Sequence, residues 1–173
     1  MVEYEYNFKV DDISVVTKFC EENGFVLVSK TSENRVVFEN KQNRKIISRL
    51  TTTFGESKKV TVWDFKNVGK NDNLLKVSKE SEAMVLDESG IKIARSMLEV
   101  MDFEQSADNL RTRYVFEKGD VKFEIDDYTR PQMKVVAIEG EKSQVDKVYQ
   151  ELVSDEQVSK HILWIWTQEK KIS

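Results

Sequence analysis

The stretch Met1 to Val10, MVEYEYNFKV, decides the fold: read as a strand, it carries two rows of opposite character. Successive strand side chains point to opposite faces, so Glu3, Glu5, Asn7 and Lys9 share one face, and Val2, Tyr4, Tyr6, Phe8 and Val10 share the other. The apolar row has to pack. The polar row either faces water, as in the common half-buried strand, or lines an interior.

The same pattern recurs along the chain. Arg111 and Arg113 share a face in NLRTRYVF, Lys122, Glu124 and Asp126 in VKFEID, and Val135, Ala137, Glu139 and Glu141 in VVAIEGE. Val60, Val62, Asp64 and Lys66 form a mixed row in KVTVWDFK, and Arg44 and Arg49 mark the two ends of the segment around IISRL. Closing such strands into a barrel would bring alternate rows inside, with carboxylates and Arg/Lys facing one another.

Between these rows the chain reads mainly as β-structure. FVLVSKTS, NRVVFEN, RKIISRLTTTF, KKVTVWDFK and LLKVSKESEAMVL are rich in β-formers, and ENKQN, FGES and NVGKND read as turns between them. A further pair of strands flanks Lys118-Gly119-Asp120, and MKVVAIEGE forms one more. An early helix places Ile13, Val16, Phe19 and Cys20 on one face, with Asp11 or Asp12 before it and Gly24 after it. In SGIKIARSMLEVM, Ile91, Ala94, Met97, Leu98 and Met101 form a stripe that reads as core. Two helices are expected to close the chain. The first carries Val145, Val148, Tyr149 and Leu152, and Ser154 to Gln157 is a capping box for the second, which would hold His161, Ile162, Trp164 and Trp166. Strands that follow one another directly exclude a βαβ chain, so the expected class is α+β: a closed eight-stranded antiparallel barrel flanked by helices.

At 173 residues the chain has the length of a single domain, with 154–173 as a C-terminal helical extension. A formal charge of -4 with both signs interspersed argues against nucleic acid or an anionic membrane as partner, so an anion site must be local. One Cys and one His exclude an internal disulfide and a Cys/His zinc centre. Cys20 reads as a small buried apolar residue and His161 as a packing or surface residue. No basic segment leads into an apolar run and no stretch has the length of a membrane span, which fits a cytoplasmic protein.

Carboxylates in pairs suit Mg²⁺ or Mn²⁺, which keep several waters and bind substrate phosphates, while Arg and Lys neutralise the remaining phosphate charge. Phosphoryl transfer asks for little beyond that positioning and neutralisation. Alternatively the rows face solvent and the chain is a plain antiparallel interaction domain.

The order of the pieces resembles the CYTH family, the triphosphate tunnel metalloenzymes, from about Val2 to Val153. The carriers of the resemblance are Glu3-x-Glu5 in the first strand, a helix ending MDF, then Arg111-x-Arg113-Tyr114, a Gly-Asp-Val turn, an Ile-Asp pair and a strand ending Ile-Glu-Gly. The resemblance implies a tunnel that binds a triphosphate with divalent metal, Mg²⁺ or Mn²⁺. It implies Glu3, Glu5 and Glu139 as catalytic acids, and Glu3, Glu5, Asp126, Glu139 and Glu141 as metal ligands. Arg49, Lys66, Arg111 and Arg113 would hold phosphates. Two positions depart from the family pattern: Asn7 stands where the opening motif has Lys, and Ala137 where the closing Glu-x-Glu has its first acid. The implied function is metal-dependent hydrolysis of inorganic triphosphate or of an organic triphosphate such as thiamine triphosphate or ATP, by a monomer or homodimer. Alternatives are an adenylyl cyclase, or an impaired tunnel that binds polyphosphate or nucleotide without turnover.

Overall fold

The computed structural model describes the backbone of residues 2–55, 58–72 and 75–165, and the side chains of residues 4–55, 58–67 and 81–163. It is an α+β protein in which antiparallel strands form one sheet and short helices cover parts of it.

The first strand, β1 (Val2–Val10), leads through α1 (Ser14–Glu22) into β2 (Val26–Asn40), β3 (Ile46–Phe54), β4 (Lys59–Asp72), β5 (Leu75–Glu80) and the short β6 (Met84–Leu86). After α2 (Glu88–Val100) come β7 (Phe103–Lys118), β8 (Val121–Arg130) and β9 (Gln132–Gly140). The described chain ends with α3 (Lys142–Ser154), α4 (Glu156–Ser159) and β10 (Ile162–Ile165). Pairing runs β10-β1-β5-β4-β3-β2-β7-β8-β9, with β6 on β4, and β1 additionally pairs β9 from Tyr4 to Val10. β1 therefore has β9 on one edge, and on its other edge β5 near its start and β10 near its end.

The apolar rows face the helices. Tyr6, Phe8 and Val10 join Phe123, Ile125, Val136 and Ile138 beneath Val16, Phe19 and Cys20 of α1 and Val145, Tyr149 and Leu152 of α3. The Tyr6 ring stacks on Tyr149 at 4.0 Å, and its hydroxyl donates to Asp146 at 2.7 Å. Each large side chain buried this way contributes roughly 1.5–3 kcal/mol, enough to dock short helices that would not persist alone. A second cluster sets Val36, Phe38 and Leu50 against Ala94 and Leu98 of α2.

Several expectations need correction. The segments around 25–32 and 34–40 are one 15-residue strand, because Ser-Glu-Asn sits in register with β3 and β7 on both sides. NVGKND, expected as a turn, is the end of β4. Of the α2 stripe only Ala94 and Leu98 are buried, while Met97 and Met101 are exposed, since the helix rests on the sheet along a narrow line. The expected C-terminal helix is four residues long and capped by Asp155, whose carboxylate accepts from the Gln157 N–H at 2.7 Å. Ile162–Ile165 then pairs with β1 as a strand, so a helical extension over 154–173 is overturned for that stretch; residues 166–173 lie outside those described. Trp164 and its β-branched and aromatic neighbours prefer a pleated edge. His161 lies in the turn before β10, with Nδ1 2.7 Å from Asp11 Oδ1. Among the described residues no helix is long and apolar enough to cross a membrane.

Candidate functional site

The polar rows on the face away from the helices are buried. Glu5 is 5% exposed, Lys66 5%, Arg111 1%, Asp126 5% and Glu139 9%, which rules out a solvated face for these residues. Strand pairing brings them together. Glu5 stands opposite Glu139, which in turn stands opposite Lys122; Asp126 stands opposite Arg113, Arg111 opposite Glu33, and Arg49 opposite Asp64. Buried charges have to be paired, and these are.

Two poles result. At the cationic pole, Arg111 grips Glu33 through Nε and NH2 at 3.0 and 2.7 Å and Asp126 through NH1 at 2.7 Å. Arg113 makes a two-pronged contact with Asp126, at 2.7 and 2.8 Å, and also contacts Glu124. The Tyr128 hydroxyl accepts from Arg111 at 3.0 Å, and Arg49 donates to Asp64 at 2.6 Å. Burial would raise the Glu33 pKa, but Arg111 and Arg113 outweigh it and hold the carboxyl below its ordinary value.

At the acidic pole, Lys122 bridges Glu124 at 2.9 Å and Glu139 at 2.7 Å, and Lys66 approaches Glu5 at 3.4 Å. Asn7 donates to Glu5 at 2.6 Å, so the amide in the position of the expected lysine supplies a hydrogen bond but no charge. Glu139 is pushed up to about 7 by burial and by the negative charges of Glu124 and Glu5, against the pull of Lys122. Glu124 is the opposite case: burial would raise it, yet Arg113 and Lys122 hold it at about 2. One carboxyl of the pair thus resists ionisation while its neighbour is locked into it.

Of the residues singled out from sequence, Glu5, Glu139, Lys66, Arg49, Arg111, Arg113 and Asp126 lie in this buried polar set. Asp126, expected as a metal ligand, accepts from both guanidiniums and from the Tyr128 hydroxyl and so lies at the cationic pole. The Glu3 side chain lies outside those described, although its backbone pairs with Ser78. Glu141 departs from the expectation. The strand ends at Gly140, and Glu141 caps α3, accepting from Ser143 and Gln144 in full solvent exposure.

Glu124 on β8 stands directly across from Ala137, the position at which the family pattern has an acid. Glu33, Arg35, Asp64, Lys122 and Tyr128 complete the set and were missed as site residues. Alternation in ENRVVFEN carries a signal for Glu33 and Arg35, but it is legible only once β2 is one continuous strand.

Among the described residues no three His, Cys or carboxylate ligands converge as a closed metal site. Glu5 and Glu139, side by side with Glu124 close enough to perturb Glu139, are still a donor set of the kind Mg²⁺ accepts when substrate phosphates complete its shell.

The comparisons with known proteins agree on the fold. No family model matches the chain, and no curated protein matches it. Among solved structures, PH1012 of Pyrococcus horikoshii OT3 superposes with a TM-score of 0.69 at 13% identity, over 92% of this chain and 93% of that one. HpAC1 from Hippeastrum, an adenylyl cyclase candidate with a dominant triphosphatase activity, superposes with a TM-score of 0.64 at 12% identity, over 90% and 88%. The fold is CYTH-like. A chain of the Schizosaccharomyces pombe Mediator head module shares it too, with a TM-score of 0.58 at 12% identity over 89% of this chain and 94% of that one. Proteins of such different descriptions share the fold, so function has to be argued from the polar face.

Proposed function

We propose that this chain closes into an eight-stranded tunnel that binds a triphosphate and hydrolyses it with the help of a divalent metal. Closure is supported by β1 pairing with both β5 and β9, which returns the strand order to its start. The observation that carries the functional reading is one shielded polar face on which Glu5, Glu124 and Glu139 gather about Lys122 and Lys66 while Arg49, Arg111 and Arg113 gather about Glu33, Asp64 and Asp126, joined through the Arg113–Glu124 contact. A metal–triphosphate complex has the complementary arrangement.

Glu5 and Glu139, with Glu124 beside them, would hold Mg²⁺ or Mn²⁺. The metal would neutralise phosphate charge and lower the pKa of a bound water. The chain's own residues do the rest. Arg111 and Arg113 orient the phosphates through planar two-pronged contacts, and Lys66 lies 3.4 Å from the Glu5 carboxylate and helps fix its position. Burial in a low-dielectric interior strengthens each contact. Water is preferred to a ribose hydroxyl as nucleophile because hydrolysis needs only the triphosphate grip and a water, with no purine or ribose recognition. The triphosphatase activity of HpAC1, on the same fold, is in keeping with this preference.

A second reading, binding without turnover, is favoured by one observation: Asn7 and Ala137 leave the acidic pole without the charge of a lysine and without one strand carboxylate. The deciding experiment measures phosphate release from inorganic triphosphate, thiamine triphosphate and ATP with Mg²⁺ or Mn²⁺, and cyclic AMP from ATP. Metal-dependent phosphate release that falls about a hundredfold or more in Glu5→Gln and Glu139→Gln supports hydrolysis. Cyclic AMP as the main product overturns it in favour of a cyclase, and absent turnover with retained triphosphate binding overturns it in favour of a binding tunnel.

A further inference from the structure

The cationic pole contains one guanidinium that makes no salt bridge among the described residues, with electrostatic compensation coming from Glu124 at longer range. Arg35, on β2, shares the buried polar face with Arg111 across one strand pair and with Arg49 across the other, since Glu33 stands opposite Arg111 and Val37 opposite Arg49. Among the described residues Arg35 forms no salt bridge. Its one hydrogen bond among the described residues runs from Nε to the Thr51 hydroxyl at 3.1 Å, so among these residues NH1 and NH2 donate to no acceptor. Arg111, Arg113 and Arg49 are each held by carboxylates.

The surroundings of Arg35 oppose its charge. Burial, and then the positive charges of Arg111, Arg113 and Arg49, pull its pKa down to about 9. A guanidinium does not shed its proton at neutral pH, so the unfavourable field persists as stored electrostatic strain instead of being relieved by neutralisation. Yet the side chain is not sealed off, being only half-buried. Two idle N–H groups in a fixed fork, inside a ring of like charge and within reach of solvent, describe a place prepared for an anion.

We propose that Arg35 is a phosphate-binding residue of the tunnel: its NH1 and NH2 groups take a phosphate oxygen pair of the bound polyphosphate, with Arg49, Arg111 and Arg113 around the same group. This inference rests on the triphosphate reading above. Because the other three guanidiniums already hold carboxylates, Arg35 makes the first contact without breaking an internal ion pair. The arriving charge then relieves the repulsion among the four guanidiniums. The contact involves no metal, so it survives in chelator.

The test titrates inorganic triphosphate into the intact chain by calorimetry, in EDTA and again with Mg²⁺, for the wild type, Arg35→Gln and Arg35→Lys, beside the phosphate-release assay and a thermal melt of each free protein. Affinity in EDTA should fall at least about tenfold in Arg35→Gln. Arg35→Lys, which keeps charge but not the fork, should recover only part of it. The melting temperature of free Arg35→Gln should equal or exceed that of the wild type, because an unpaired cation has been removed from a cationic cluster. A merely structural Arg35 gives the reverse: a lowered melting temperature and unchanged affinity, which overturns the proposal. Should Arg35→Gln fail to fold, Arg35→Lys with unchanged affinity overturns it equally. Turnover with Arg35-independent binding defeats this inference and leaves hydrolysis standing. Arg35-dependent binding without turnover does the opposite, and no triphosphate binding in either condition defeats both.

Discussion

Glu139 illustrates how position, not residue type, sets chemistry in this protein. Its pKa is raised from the ordinary 4.5 to about 7, first by burial and then by Glu124 and Glu5. Below pH 4.5 the carboxyl is protonated whether the chain is folded or not. Between 4.5 and about 7 only the folded chain keeps the proton, so this residue's contribution to stability declines as pH rises through that window and levels off above it. In metal-free buffer, urea denaturation at pH 5, 6, 7 and 8 should show this decline in the wild type. Glu139→Gln should flatten it and should be the more stable of the two proteins at pH 8. A wild-type profile that rises from pH 5 to 8, with the variant parallel to it, would contradict the assigned environment. Glu5 and Glu139 were legible from the sequence because alternation in two short strands put each on a polar row. Arg35 and Glu124 were not legible as site residues, because nothing local says that a Glu will face an Ala across a sheet.

At the level of elements, the junction between β9 and α3 separates the site from the surface. Gly140 has φ of 150°, and a Cβ placed there would lie 2.3 Å from the Asp120 carbonyl oxygen, in the β7–β8 turn. That turn is backbone and cannot step aside as a flexible side chain would. Gly140→Ala should therefore cost on the order of 3 kcal/mol, seen as a lowered urea midpoint with an unchanged slope. A loss under about 0.5 kcal/mol would mean the approach of the two segments is not close. The same junction explains why Glu141 does not belong with Glu139: beyond the glycine the chain has left the sheet, and the carboxylate serves the first N–H groups of α3. Period-two alternation revealed most strands, but it carries no mark of where a strand ends. Hence NVGKND read as a turn and Ile162–Ile165 as helix, when pairing with a neighbour decided both.

For the whole molecule, the sheet has an apolar face beneath the helices and a charged face opposite. Helices cover the apolar rows, and on the opposite face Arg49, Lys66, Arg111, Arg113 and Lys122 form ion pairs with Glu5, Glu33, Asp64, Glu124, Asp126 and Glu139 among the described residues, while Arg35 forms none. Because most of these charges already have an internal partner, a divalent metal is expected to accompany the proposed triphosphate and strengthen its binding. The antiparallel architecture was legible in the direct succession of strands and the rarity of helix-forming stretches. The self-neutralised interior was not, because it depends on which rows meet across the sheet.

The most direct measurement follows the arginine Nε–Hε signals by NMR while inorganic triphosphate and Mg²⁺ are added to the intact protein. The account predicts saturable shifts at one equivalent, confined to Arg35, Arg49, Arg111 and Arg113, with Arg44, Arg95 and Arg130 on the surface unmoved. Shifts at the surface arginines alone, or none at all, would contradict a triphosphate site inside the sheet.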